Sequence, residues 1–81
     1  MDKTTAWNVV QTAFRCGSEL QGLLRLLKGR CDPDEYKQIA IGIATAIDTI
    51  NVQLIDRALK AHPELKATIE SDLANTGRVA G

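Results

Sequence analysis

Apolar residues in the first third of the chain recur at alternating steps of four and three residues. The series runs Ala6, Val10, Ala13, Gly17, Leu20, Leu24 and Leu27. This spacing keeps side chains on one face of an α-helix, whereas a strand would place every second residue on one face. We therefore predict a first helix over residues 5–28. Asp2, Thr4 and Thr5 are all suitable N-caps, and Gly29 suits the left-handed residue that follows a helix.

Two features of this first helix predict what packs against it. Small residues fill the first half of the stripe, so a facing helix should approach most closely near Ala13 and Gly17. Trp7, Val10 and Phe14 form a second stripe that exists only in the first half of the helix. The first helix therefore needs a second packing partner near its start.

The second helix has the clearest start. The segment 32–35, Asp-Pro-Asp-Glu, combines an N-cap, a proline suited to the first helical position and two acids in the first turn. Apolar residues then continue at steps of three and four: Tyr36, Ala40, Ile43, Ile47, Ile50, Leu54 and Ala58. A second stripe consists of Ile41, Ala44, Asp48, Val52, Ile55 and Leu59. Because Pro63 disfavours helical geometry at His62, we predict a helix over residues 33–61 that is apolar on more than one face.

A short third helix is predicted over residues 63–75, followed by a loose tail over residues 76–81. Its apolar stripe consists of Leu65, Ile69 and Leu73. We expect this stripe to fold back over Trp7, Phe14 and Ile55. The predicted fold is all-α and a single domain: an antiparallel hairpin of two long helices joined by a short turn, plus the short third helix.

The turn end of the hairpin leaves apolar residues without a partner. The candidates for a dimer interface are Leu23, Leu26, Ile39, Ile41 and Ile43. These side chains cannot all face one helix, and an exposed patch of that size is more than a soluble monomer usually carries. We expect two hairpins to associate about a twofold axis into a four-helix bundle. A chain this small also needs such support, since its own core supplies only about 3–5 kcal/mol.

The length and composition exclude several classes of protein. The chain has 81 residues, 44% hydrophobic and 25% charged, with ten basic and ten acidic side chains. That length excludes the large barrel and dinucleotide-binding folds, and zero net charge with many aliphatic residues excludes a strongly charged disordered chain. Cys16 and Cys31 would lie roughly 20 Å apart across the first helix, too far for a disulfide. We expect two free thiols, and the alternative is a disulfide between two chains through Cys31. A single histidine without a Cys-x-x-Cys motif predicts no metal or cofactor site.

Two isolated polar residues have candidate roles. His62, the single histidine, has no nucleophile or paired acid at a useful spacing, so we expect a junction residue and no enzymatic activity. Asp48 interrupts the second apolar stripe of the second helix. It binds a cationic group on a partner, fixes the register of a contact, or pairs with Arg15 across the hairpin.

Basic residues concentrate in the first part of the chain. Residues 1–31 carry five bases and two acids, a net charge of +3, which the remainder balances with −3. Arg15, Arg25, Lys28 and Arg30 are therefore candidates for contact with a partner or an anionic ligand, or they form a solvated basic face. The isoelectric point of about 6.5 argues against nucleic-acid binding.

The N-terminal segment lacks a basic region followed by an apolar core, so we expect no signal peptide. The uncharged stretch at residues 38–47 is half the length of a membrane-spanning helix. These observations predict a cytoplasmic protein that does not enter a membrane.

A long helix, the Asp32-Pro33 turn and a second long helix resemble the layout of small helical-hairpin immunity proteins of bacterial secretion systems. The resemblance covers about two thirds of the chain, assigns no functional residue, and implies a bacterial protein that binds another protein. We expect a non-catalytic, homodimeric interaction module: an inhibitor, an immunity protein or a regulatory adaptor. The alternative is a protein that binds a small anionic ligand, a nucleotide or a phosphorylated metabolite, at the dimer interface.

Overall fold

The computed structural model describes residues 1–76. Within this range the chain is all-helical and contains three helices and no strand. They are α1 (Lys3–Leu27), α2 (Pro33–Ala61) and α3 (Leu65–Thr76). Ala6 and Val10, near the start of α1, share a buried cluster with Ala58, near the end of α2, so these two helices run antiparallel. The predicted tail lies outside the described residues, apart from Thr76, which ends α3.

Both long helices begin at an aspartate N-cap. The Thr5 backbone N–H donates to Asp2 Oδ1 at 2.7 Å, and the Glu35 backbone N–H donates to Asp32 Oδ1 at 2.9 Å. Of the three N-caps considered for α1, Asp2 is the one used, so the helix starts two residues before the predicted position. In the turn between the helices, Gly29 adopts φ +80°, the left-handed conformation predicted from its place after the helix.

A single π turn interrupts α2 at Asn51–Ile55. Its wider hydrogen bond runs from the Asp56 backbone N–H to the Asn51 carbonyl oxygen, five residues back. The extra residue rotates the helix, so that Ile55 (8% exposed) continues the buried stripe after Ile50, while Leu54 is 43% exposed. The predicted place of Leu54 in the buried stripe is therefore wrong, because a regular spacing of three and four does not allow a five-residue step.

A buried apolar cluster lies where α3 covers the open end of the hairpin. It consists of Ala6, Val10, Ala58, Leu65 and Ile69, with Trp7, Val9, Phe14 and Leu59 packed against it. The prediction that α3 folds back over Trp7 and Phe14 is confirmed for Leu65 and Ile69. It is wrong for Leu73, which is 41% exposed because the cluster ends one turn earlier. Ile55 is buried but lies outside this cluster.

The molecule is elongated. Its Cα atoms extend over 44 × 25 × 14 Å, with a radius of gyration of 14.7 Å. A compact domain of this length has a radius of gyration of roughly 12 Å. The two long helices lie side by side in one layer, and α3 adds a second layer only at the end where the buried cluster lies, so much of the hairpin's length has no second layer to cover it.

Candidate protein-interaction surface

Exposed apolar side chains continue along the hairpin beyond the region that α3 covers. Of the predicted interface residues, four are exposed: Leu23 (41%), Leu26 (55%), Ile39 (37%) and Ile41 (52%). The fifth, Ile43, is only 7% exposed, so it belongs to the hairpin's own core and offers little surface to a second chain. The exposed residues Val52 and Leu54 were not among the predicted interface residues.

Helical spacing assigns these residues to two different flanks of the hairpin. We call the first the Cys16 flank. On α1 it comprises Thr5, Val9, Thr12, Cys16, Glu19, Leu23 and Leu26, at steps of four and three, and on α2 it comprises Ile39, Ala46, Ile50 and Leu54. The two sets meet in a groove of about 360 Å³ that Val9, Cys16, Ile50 and Leu54 all line. We call the second the Asp48 flank; it comprises Ile41, Ala44, Asp48 and Val52 of α2.

The two long helices do not approach closely at Gly17. A methyl group added there would meet nothing within 4 Å. A second groove, of about 280 Å³, opens beside it, and Phe14, Ile47 and Ile55 are among the residues that line it. The predicted close approach is thus wrong at Gly17, although Ala13 is buried. Small residues on α1 alone do not bring the two helices close together, because α2 places isoleucines opposite them. The side chains of both helices at a contact set the distance between the helix axes.

The predicted pair of Asp48 with Arg15 does not form. Both residues are exposed, and within residues 1–76 no ion pair or hydrogen bond joins them. Arg15 lies two positions beyond Ala13 of the buried stripe, a rotation of about 200° that directs its side chain away from α2. Among residues 1–76, therefore, no basic partner neutralises Asp48 on its apolar flank.

The other basic candidates are also exposed and are not gathered into a cavity. Arg25 lies in the last turn of α1, and Lys28 and Arg30 lie in the turn that follows. Neither of the two grooves described above is lined by a basic residue. The arrangement places these basic residues at the turn end of the hairpin, outside both grooves.

His62 joins the start of the chain to the junction of α2 and α3. Its Nε2 lies 2.9 Å from the Met1 carbonyl oxygen, and its Nδ1 lies 3.1 Å from Glu64 Oε1. Both partners are hydrogen-bond acceptors, so a protonated ring can donate to both and a neutral ring to only one. The backbone N–H of Glu64 itself, and then the His62 ring, hold the pKa of the Glu64 carboxyl below its ordinary value. These contacts place His62 at the junction expected from the sequence.

The two cysteines are free, and their environments differ. Cys16 is exposed in the middle of α1. Cys31 is half-buried in the turn, and its thiol lies 3.7 Å from the Leu27 carbonyl oxygen. Among the described residues, no group of three or more histidine, cysteine, aspartate or glutamate side chains could hold a metal ion.

By length and composition, α2 could cross a membrane. Its most apolar 18-residue window has a mean hydropathy of 1.4, and 11% of that window is buried. The sequence-based prediction against a membrane span rested on the uncharged run 38–47 alone. Asp48 is the one residue that separates this run from a second uncharged run, which ends at Ile55. The core helix of a soluble protein or a signal sequence passes the same test.

Comparisons of the chain with protein-family models, with curated proteins and with solved structures found no match. Its function must therefore be inferred from its own residues and their arrangement.

Proposed function

We propose that the chain is a non-catalytic protein-interaction module that works as a homodimer. The observation that carries the proposal is a hairpin that α3 covers only at its open end and that exposes large aliphatic side chains along both long helices. Soluble monomers rarely leave apolar patches of this extent in water. A second hairpin laid against the first would supply the missing layer and complete a four-helix bundle.

The small core supports association. Among the described residues, the buried hydrophobic set contains three alanines and five larger aliphatic residues. The buried residues are Ala6, Val10, Ala13, Ile43, Ile55, Ala58, Leu65 and Ile69. Chains of this size that lack disulfides or a metal commonly gain the remaining stability from a partner. In this account, folding and dimer formation are energetically linked.

A second copy fits the hairpin better than a lipid bilayer does. Because α1 packs along α2, α1 would enter the bilayer together with α2, carrying Arg15, Glu19 and Arg25. A charged side chain at the centre of a bilayer costs about 2.5–3.5 kcal/mol even by the mildest scales. A protein partner instead covers the apolar flank and leaves these charges in water.

The dimer would leave the Asp48 flank available for a different protein. Ile41 and Val52 are about half exposed, and between them Asp48 offers a carboxylate that no residue in the described range 1–76 pairs with. A partner with aliphatic side chains around a lysine or arginine would complement this surface in shape and charge. Inhibition of an enzyme, immunity to a toxin and regulation through an adaptor all use a contact of this kind, and we propose these roles for the module.

Light scattering in line with size-exclusion chromatography tests the homodimer. At tens of micromolar we expect twice the chain mass, 2 × 8.8 = 17.6 kDa. A monomer mass would overturn the proposal. Co-sedimentation with phosphatidylcholine and phosphatidylglycerol vesicles should leave the protein in the supernatant, and sedimentation with the vesicles would favour the membrane alternative.

A thermal-shift screen with nucleotides and phosphorylated metabolites tests the alternative anionic ligand. A ligand that binds only the folded protein raises its Tm, so no shift is expected from the interaction module. A rise of several degrees that is lost when Arg25 and Lys28 are replaced by glutamine would favour ligand binding instead.

A further inference from the structure

We infer that the second copy packs against the Cys16 flank, antiparallel, with the twofold axis passing beside Cys16 on α1 and Ala46 on α2. This inference rests on the proposed homodimer and adds the flank, the orientation and the register. It predicts that Cys16 lies next to Cys16 of the second copy. The alternative face for a dimer is the Asp48 flank.

The α1 side of the flank is centred on Cys16. Its stripe begins at Thr5 and ends at Leu26, and Cys16 lies midway between them and is exposed. Val9 and Leu23 lie seven residues, two helical turns, on either side of Cys16. A twofold axis at Cys16 therefore places Leu23 of one copy opposite Val9 of the other. Val9 borders the groove of about 360 Å³, which gives the half-exposed Leu23 an apolar place to insert.

Two charged residues near the ends of α2 give charge complementarity in the same register. Glu35 and Arg57 are both exposed and lie eleven residues before and after Ala46, counting the extra residue of the π turn, so their distances from the axis agree to within about one residue's rise. The Arg57 side chain reaches back to Gln53, with Nη2 3.1 Å from its Oε1. Antiparallel packing about Ala46 places Glu35 beside Arg57 of the second copy, whereas parallel packing would place like charges together. Exposed pairs of this kind add little affinity but select orientation.

The same symmetry disfavours the Asp48 flank. Asp48 lies next to the midpoint of α2, since Pro33–Ala61 is centred on Ile47. An antiparallel dimer through that flank would bring Asp48 against Asp48 of the second copy, in an interface whose other α2 residues, Ile41, Ala44 and Val52, are all apolar. Two carboxylates in such a contact repel each other and lose hydration. The Cys16 flank has one acidic residue on its α1 stripe, Glu19, and this residue lies off the axis.

Thiol cross-linking tests the register. The Cys31→Ser variant keeps only Cys16, and the Cys16→Ser variant keeps only Cys31. In the inferred dimer the two Cys31 residues lie at opposite ends, roughly 45 Å apart by helical rise. Treatment with a short-spacer bismaleimide, to which each thiol adds without any redox step, should convert most of the Cys31→Ser variant to a covalent dimer. The Cys16→Ser variant should remain a single chain under the same conditions.

Three outcomes would overturn the inference, and they have different meanings. A dimer mass before treatment, without cross-linking of the Cys31→Ser variant, would overturn the register while leaving the proposed homodimer intact. Efficient cross-linking through Cys31 would instead show a parallel dimer and would also overturn the inference. A monomer mass for the untreated protein would overturn both. Circular dichroism of both variants must match the unmodified chain, so that loss of folding is not read as loss of contact.

Discussion

At the scale of single residues, short polar contacts fix where the helices begin. Asp2 and Asp32 each accept a backbone N–H from the third residue beyond them, which satisfies a donor that the first helical turn leaves free. The Thr5 backbone N–H, and then its hydroxyl, lower the pKa of the Asp2 carboxyl. Contacts with Glu35, through its side chain and then its backbone N–H, lower the pKa of the Asp32 carboxyl.

These lowered pKa values predict a loss of stability in acid. Both carboxyls have an ordinary value of 3.8, so their contribution is complete above that pH and disappears as the pH falls through the lower folded-state value. The Asp32→Asn variant keeps a good N-cap and loses its titration. Between about pH 5 and 2.5, the urea midpoint of the unmodified protein should fall further than that of the variant. Parallel curves for the two proteins would show that Asp32 contributes nothing to the acid sensitivity.

Replacing each of two glycines by alanine should change the free energy of unfolding in opposite directions. Gly17 is inside α1, and a methyl group there meets nothing within 4 Å, so Gly17→Ala should raise the free energy of unfolding by about 1 kcal/mol through helix propensity. Gly29 has φ +80°, where a side chain is strained, so Gly29→Ala should lower it by about 1–2 kcal/mol. Urea denaturation measures both variants. Destabilisation by Gly17→Ala would instead indicate that the two long helices approach closely at Gly17, as the sequence predicts.

At the scale of helices, local signals in the sequence predict most of the fold. Three of these signals are the caps at Asp32 and Gly29 and the end of α2 before Pro63. Each depends only on interactions between residues close together in the sequence, so the sequence alone predicts it. The π turn is different, because Leu54 and Ile55 are adjacent and equally apolar. Regular spacing favours Leu54, whereas packing against α1 selects Ile55 at the cost of a wider turn. Such a choice depends on tertiary contacts that no local pattern records.

A one-residue deletion tests the π turn. Removing Val52, which is half exposed, leaves Ile55 four residues after Ile50 and allows a regular helix with the same buried face. We expect the Tm of this variant to stay within a few degrees of the unmodified protein or to rise. Ala44 lies in the regular part of α2, where the helix has no extra residue, so its removal rotates core residues out of their buried positions. This deletion should lower the Tm by roughly 10 °C or more. Equal losses in the two variants would contradict this reading of the π turn.

At the scale of the whole molecule, the sequence predicts the number of apolar stripes but not which of them the chain itself covers. Ile43 and Ile41 are both apolar and two residues apart, yet the structure buries the first and exposes the second. Periodicity assigns each residue to a face, and only the positions of α1 and α3 decide which face meets water. The same limit applies to Asp48 and Arg15, which are suitable in charge but point in different directions.

The choice of flank predicts unequal effects for two similar substitutions. Leu23→Glu, on the Cys16 flank, removes an apolar contact twice in a symmetric dimer, about 3 kcal/mol in all, and should weaken association roughly 100-fold. Ile41→Glu, on the Asp48 flank, should change the dimer dissociation constant less than about threefold. Analytical ultracentrifugation over a range of concentrations gives both constants. A larger effect at Ile41 would move the dimer to the other flank.

The central claim is that this one-layer hairpin is half of a bundle, and sedimentation equilibrium of the unmodified chain tests it most directly. The account predicts a mass that approaches 17.6 kDa, twice the chain mass of 8.8 kDa, at tens of micromolar, and that falls toward the monomer value on dilution. A mass of 8.8 kDa at every concentration up to the hundred-micromolar range would contradict it.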